Sequence, residues 1–121
     1  MIGVGLDAVD IDRFRRLLDR RPGIVDRVFT PGEQKLLTTR ADPAPGLAAR
    51  FAAKEAAMKA LGVGLGSVGL RELEVVTSAS GAPSVVATGR AAELVERLGV
   101  TSLLVSLTHT GAIAGAVVVA L

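Results

Sequence analysis

Residues 47 to 61 carry a pattern that only a doubly packed helix can use. At 100° per residue, Leu47, Phe51, Met58 and Leu61 fall on one helical face. The back is almost wholly alanine, at Ala48, Ala49, Ala52, Ala53, Ala56, Ala57 and Ala60. A surface helix would place charges there, so this one is predicted to pack on both sides, its small residues admitting a close neighbour. Lys54 and Glu55 sit at the two edges of the apolar face, with Lys59 one turn beyond. Buried charges are costly unless paired or bound to something. Two readings of these residues stand. One is an i, i+4 Glu55–Lys59 pair, which the spacing alone favours; the other is a metal carboxylate one turn from a phosphate-binding lysine.

Around this rod, composition narrows the class. The 121 residues amount to one domain, 1–121. Half are hydrophobic, 21% are charged and mean hydropathy is +0.48, which is greasy for a small chain and predicts apolar surface that meets another copy. With no Cys there is no disulfide or thiolate site, which fits a cytoplasmic home. The opening Met1-Ile2-Gly3-Val4-Gly5-Leu6-Asp7 lacks the basic flank and apolar centre of a signal peptide. The longest apolar run, Ala112 to Leu121, is about half of the ~20 residues a membrane helix needs, so no membrane partner is expected. A net charge of +2, no Tyr or Trp and three Phe argue against nucleic acid as a partner.

Taken in order, residues 2–7 alternate, with Ile2, Val4 and Leu6 on one side and Gly3, Gly5 and Asp7 on the other, and read as a strand ending in a carboxylate. Gly3 to Ala8 matches a dinucleotide-binding pattern, but no strand precedes it and Asp7 would repel a pyrophosphate. Asp10 is placed to N-cap a helix running to about Arg21, with Ile11, Phe14, Leu17 and Leu18 inward and Arg13, Arg16 and Arg20 striped along the far side. That stripe is either a solvated face or a dock for an acidic partner. Pro22-Gly23 breaks the helix. Thr30-Pro31-Gly32-Glu33 is a capping box with Pro at the first helical position, opening a short helix that ends before Asp42-Pro43-Ala44-Pro45. After the central helix, Gly62-Val63-Gly64-Leu65-Gly66 follows a helix C-terminus, where the dipole has the wrong sign for an anion, so capping is its first task. Glu72–Thr77 and Ser84–Ala87 flank the turn Ser80-Gly81-Ala82-Pro83 as a hairpin. Ala91 to Leu98 is a short helix stopped by Gly99. Leu103–Leu107 and Ala114–Ala120 are apolar strands around Thr108-His109-Thr110-Gly111. The pattern is α+β, a long central helix against an antiparallel sheet.

Three separated pieces, Gly5-Leu6-Asp7, Phe51-Ala52-Ala53-Lys54-Glu55-Ala56 continuing to Lys59-Ala60-Leu61-Gly62, and Ser106-Leu107-Thr108-His109, together resemble the holo-acyl-carrier-protein synthase family of 4′-phosphopantetheinyl transferases. Thr30-Pro31 with Glu33, Glu72 to Val75, Gly81 with Pro83 and the closing Val117-Val118-Val119 also fit its pattern. Ala8, Val63, Ala82 and Leu121 depart from it, and none of these is a proposed metal ligand.

The resemblance implies a 4′-phosphopantetheinyl transferase fold that assembles as a homotrimer. It implies transfer of 4′-phosphopantetheine from coenzyme A to a serine of an apo acyl carrier protein, releasing adenosine 3′,5′-bisphosphate. By the same analogy Asp7 and Glu55 hold Mg²⁺ on the pyrophosphate, and Lys59 adds charge there. Glu55, or a water it orients on the metal, is the base. Lys59, Gly62, Arg50, His109 and Thr110 bind coenzyme A, with His109 supplied by the neighbouring chain. Arg13 and Arg20 receive the acidic carrier protein. Two alternatives remain beside this expectation: a non-catalytic trimeric carrier-binding homologue, and a metal-dependent nucleotide-binding protein with a different acceptor.

Overall fold

In the computed structural model, which describes residues 1–121, the elements run β1 (Gly3–Asp10), α1 (Ile11–Arg20), α2 (Ile24–Val28), α3 (Pro31–Gln34), α4 (Leu36–Thr39), α5 (Ala44–Ala60), a 3₁₀ turn (Leu70–Glu72), β2 (Leu73–Thr77), β3 (Pro83–Ala87), α6 (Gly89–Arg97), β4 (Leu103–His109) and β5 (Ile113–Ala120). The strands form one five-stranded antiparallel sheet in the order β1-β5-β4-β3-β2. The architecture is α+β, as the hydrophobic pattern predicts. No helix is long and apolar enough to cross a membrane.

The α5 helix lies across the inner face of the sheet, and every alanine of its back is buried. Its closest approach is to β1, where the strand has no side chains in the way. A Cβ added at Gly3 would stand 1.9 Å from the Ala60 carbonyl oxygen, and one at Gly5 would stand 1.9 Å from that of Ala56. The helix backbone therefore rests on the strand backbone. The alternation of β1 follows from this contact: Gly3, Gly5 and Asp7 face α5, while Val4 and Leu6 point to the open face and remain 53% and 68% exposed. The strand also continues past Asp7 to Asp10, three residues beyond its predicted end, because β5 pairs with it as far as Asp10↔Ile113.

Local chemistry explains most boundaries. Asp10 accepts from the Arg13 amide at 2.9 Å and starts α1. The capping box is complete: Thr30 N donates to Glu33 Oε1 at 2.9 Å and Glu33 N to Thr30 Oγ1 at 3.2 Å. At the far end of α5, Gly62 adopts φ +74°, its N–H reaches Lys59 O at 3.1 Å, and Val63 N reaches Met58 O at 3.0 Å. Those two bonds are a Schellman termination, which needs glycine at the left-handed position. The α2 helix was not marked by any cap or period in the sequence; it is a single turn and a half held by burial of Val28.

The core has two parts. One fills the space between α5, α6 and the sheet. The other lies under α1 and gathers Ile11, Phe14, Val28, Phe29 and Leu47. Phe14 is its centre, edge-on to Phe29 at 6.4 Å and tilted against Phe51 at 5.7 Å between ring centroids. Burying side chains of this size contributes about 1.5–3 kcal/mol each. This aromatic contact fixes α1 beside the middle of α5.

Candidate functional site

Because β1 and α5 meet backbone to backbone, Asp7 and Glu55 open into the same cleft. That cleft has a volume of about 410 Å³ and is lined by Asp7, Asp10, Arg13, Phe14, Leu17, Arg20, Phe51 and Glu55, with Ala8 and Val9 behind. Lys59 joins the group from the next turn of α5: its Nζ donates to Asp7 Oδ1 at 3.1 Å and to the Leu6 carbonyl at 2.9 Å. The i, i+4 pair that the spacing favours does not form. No ion pair within 4.0 Å involves Glu55, because Lys59 crosses to the strand instead.

Glu55 is thus a half-buried carboxylate with no hydrogen-bond partner. Burial raises its pKa above the ordinary carboxyl value, the charge of Asp7 raises it further, and Lys59 opposes both. Asp7 keeps an oxygen beyond the one that Lys59 occupies. Two such carboxylates, one anchored and one unpaired, are what a Mg²⁺ ion accepts when its remaining positions are filled by water and phosphate oxygens. No third His, Cys, Asp or Glu completes a protein cage. The residues therefore fit a hydrated Mg²⁺ and would not enclose an ion by themselves.

Arg13 and Arg20 stand on the other wall. The sequence places them on the far side of α1, yet both line the cleft beside Phe14 and Leu17 of the same helix. Arg16 is not among the lining residues.

A second cavity, of about 480 Å³, opens on the opposite flank of α5. Arg40, Gly46, Ala49, Arg50, Thr77, Gly81, Pro83 and Ser106 through His109 line it. Arg50 is held across it by a bond to Gly46 O at 3.2 Å, and burial lowers its pKa. His109 is exposed at the end of β4 and makes no hydrogen bond to Asp7, Glu55 or Lys59. Within one chain, α5 stands between this cavity and the carboxylate cleft, while a third cavity of about 430 Å³, on the outer face of the sheet, brings Asp7 together with His109 and Thr110.

The remaining candidates are more structural. The Thr110 hydroxyl accepts from Ala112 N and Ile113 N, both at 3.1 Å, and closes the β4–β5 turn. Gly62 serves the helix end and lines neither large cavity. Arg40 was missed in the sequence; a lone arginine before Asp42-Pro43 has no spacing to mark it. Lys54, at the centre of the motif, turns wholly inward and meets neither cavity.

Relatives place the geometry in a family. Residues 3–117 match the model of the 4′-phosphopantetheinyl transferase superfamily. The chain is 44% identical over 117 residues to holo-[acyl-carrier-protein] synthase from Moorella thermoacetica, covering 97% of this chain and 91% of that protein. It is 47% identical over 120 residues to the Streptomyces avermitilis protein of that name, covering 99% and 97%. Among solved structures, the holo-[acyl-carrier-protein] synthase of Neisseria meningitidis superposes with a TM-score of 0.91 at 32% identity, over 100% of this chain and 99% of that one. The Helicobacter pylori synthase, solved in complex with coenzyme A, gives 0.83 at 28% identity over 98% and 99%. A match that runs over nearly the whole chain leaves one assignment: the chain belongs to the holo-[acyl-carrier-protein] synthase family of the 4′-phosphopantetheinyl transferase superfamily.

Proposed function

We propose that this single domain, residues 1–121, transfers the 4′-phosphopantetheine group of coenzyme A to a serine of an apo acyl carrier protein. The observation that carries the reading is the convergence of Asp7, Glu55 and Lys59 at one cleft whose other wall is Arg13 and Arg20. Anionic phosphate and an acidic protein surface both find cations there, and the serine hydroxyl would meet a carboxylate.

In this reaction the serine oxygen forms a bond to the β-phosphorus of coenzyme A. The bond from that phosphorus to the bridging oxygen breaks, and adenosine 3′,5′-bisphosphate leaves. Asp7 and Glu55 would hold Mg²⁺, which when bound neutralises charge on the pyrophosphate. Glu55 accepts the serine proton, directly or through one water that it orients; its raised pKa strengthens it as a base. Lys59, fixed by Asp7 and the Leu6 carbonyl, offers its charge to the departing phosphate without reorganising. Arg13 and Arg20 orient the carrier protein. Arg50, His109, Thr110 and Gly62 serve the nucleotide part of coenzyme A.

His109 shares a cavity on the outer face of the sheet with Asp7 but not with Glu55; in the homotrimer we propose, a neighbouring chain covers that face and His109 serves the neighbour's site. Support comes from the open face of the sheet, where Val4, Leu6, Leu104 and Ile113 stay at least half exposed. A face of that kind calls for a partner. The absence of Cys accords with a cytoplasmic location. The alternative, a trimeric carrier-binding homologue without turnover, is disfavoured by the unpaired Glu55, whose burial serves nothing in a passive module. Intact-mass analysis of an apo carrier protein incubated with this chain, coenzyme A and Mg²⁺ tests the reading. A gain of one phosphopantetheine is expected; binding without mass change would select the alternative.

A further inference from the structure

Between Leu47 and Met58, α5 carries one long side chain that is completely buried, and it is Lys54. All three of its donors are used: Nζ reaches Glu33 Oε1 at 2.7 Å, the Leu70 carbonyl at 2.9 Å and the Leu73 carbonyl at 2.9 Å. Glu33 is equally enclosed and also satisfied, accepting from Thr30 N at 2.9 Å and Val75 N at 2.8 Å. Four pieces of chain meet at this point: the capping box of α3, the 3₁₀ turn, the start of β2 and the middle of α5. A buried ion pair is weak evidence for stability, because desolvation offsets most of the attraction. Its distinguishing property is direction.

Direction is scarce where α5 meets the sheet. The back of the helix is almost wholly alanine there, and short side chains make shallow ridges that lock weakly into grooves. The glycines of β1 set how near the helix comes, since the limiting contacts are with backbone carbonyls, but a smooth backbone contact does not set rotation. Side-chain tips on an α-helix lie about 5–6 Å from its axis, so a rotation of about 10° moves them by about 1 Å. Glu55 lies on one flank of the helix and Arg50 on the other, so one rotation would displace both.

We infer that Lys54, anchored on Glu33, is a positioning residue that sets the rotation of α5 and thereby aims Glu55 and Lys59 at Asp7. It touches neither substrate nor cofactor. The inference rests on the proposed transfer reaction, and the wild-type protein in the same assay separates failure of that reading from failure of this one.

The test compares Lys54→Met, Glu33→Gln and a control, Leu94→Ala, which opens the core under α6 away from both cavities. Melting temperature, kcat and KM for coenzyme A are measured for each. Misplacement by 1 Å costs about a hundredfold in rate. Lys54→Met should lose about that factor in kcat at temperatures where it is fully folded. Glu33→Gln, which leaves Lys54 its two carbonyl partners, should lose several-fold. Leu94→Ala should keep wild-type kcat while folded, even if its melting temperature falls further. If Lys54→Met does not fold, Glu33→Gln carries the comparison alone. Wild-type kcat in a folded Lys54→Met, or in Glu33→Gln when it stands alone, would overturn the inference and leave the pair as a stability element.

Discussion

Lys59 donates to Asp7 at 3.1 Å across the strand–helix contact and leaves Glu55, one turn before it on the same helix, without a partner. This asymmetry between two carboxylates that share a cleft separates their tasks. Asp7 is anchored by Lys59. Glu55 has burial and a like charge acting against its ionised form. A carboxyl whose pKa is raised by burial in a cleft is a candidate general base.

Replacing Glu55 by Gln removes a charge that burial disfavours, so transfer should fall by about 10³-fold while the fold stays intact. A carboxyl whose folded pKa is raised stabilises the protein below its unfolded value, and that contribution is lost as pH rises through the folded value. The difference in melting temperature, variant minus wild type, should therefore increase as pH rises above the ordinary value of 4.5 and then level off. Thermal melts across pH 4 to 8, with turnover on the same samples, check both statements. A Glu55–Lys59 pair would give the opposite sign.

Arg13→Ala and Arg20→Ala should each raise KM for the carrier protein by about tenfold and flatten its salt dependence, with KM for coenzyme A unchanged. Alanine is preferred to charge reversal because both guanidinium groups line the cleft that holds Glu55, where a new carboxylate would disturb the base itself. Steady-state kinetics at several ionic strengths decide the matter. Parallel movement of both Michaelis constants would assign the arginines to the nucleotide.

Gly5→Ala places a methyl group 1.9 Å from the Ala56 carbonyl oxygen, a backbone atom that cannot swing away. The helix must lift from the strand, at a cost of about 3 kcal/mol. Urea unfolding should report that loss. Transfer at temperatures where the variant is folded should also fall, because lifting α5 separates Asp7 from Glu55.

Asp7→Ala and His109→Ala should each be nearly inactive alone. Unfolded together in equal amounts and refolded, they should recover up to about a quarter of wild-type activity, since each half of an interchain site is sound half the time. A wild-type sample taken through the same refolding must recover for the comparison to hold. A mixture as inactive as its parents would place both halves on one chain.

Features written in short stretches of sequence were legible. The Thr30–Glu33 capping box, the Asp10 cap, the hairpin at Ser80 to Pro83 and the two-sided packing of the alanine helix all depend on near neighbours, and each is present. Helix periodicity also placed Glu55 at the edge of an apolar face. Partnerships across the chain were not legible. Lys54 meets Glu33 and Lys59 meets Asp7 only because β1, α3 and α5 converge, and nothing local names those partners. The side of β1 that faces the core was also hidden, since its inner face carries glycine where a buried strand ordinarily carries valine or isoleucine. Arg40 reaches the His109 cavity through a loop that no period describes.

The bare inner face of β1 has a counterpart on its outer side. A strand of alternating residues has two sides to distribute, and Gly3 and Gly5 take the inner one so that Asp7 can stand close to Glu55. Val9 still packs inward, but in the first half of the strand the apolar side chains have only the outer side left, at Val4 and Leu6. One alternation, read once along eight residues, both closes the gap between two acids and leaves a monomer with an oily exterior. Mutations that make the isolated chain more comfortable in water at Val4 or Leu6 leave the acid gap untouched, whereas putting bulk back on the inner side widens it. Solubility and the spacing of the two acids are therefore separately adjustable in this strand, the first on even positions and the second on odd.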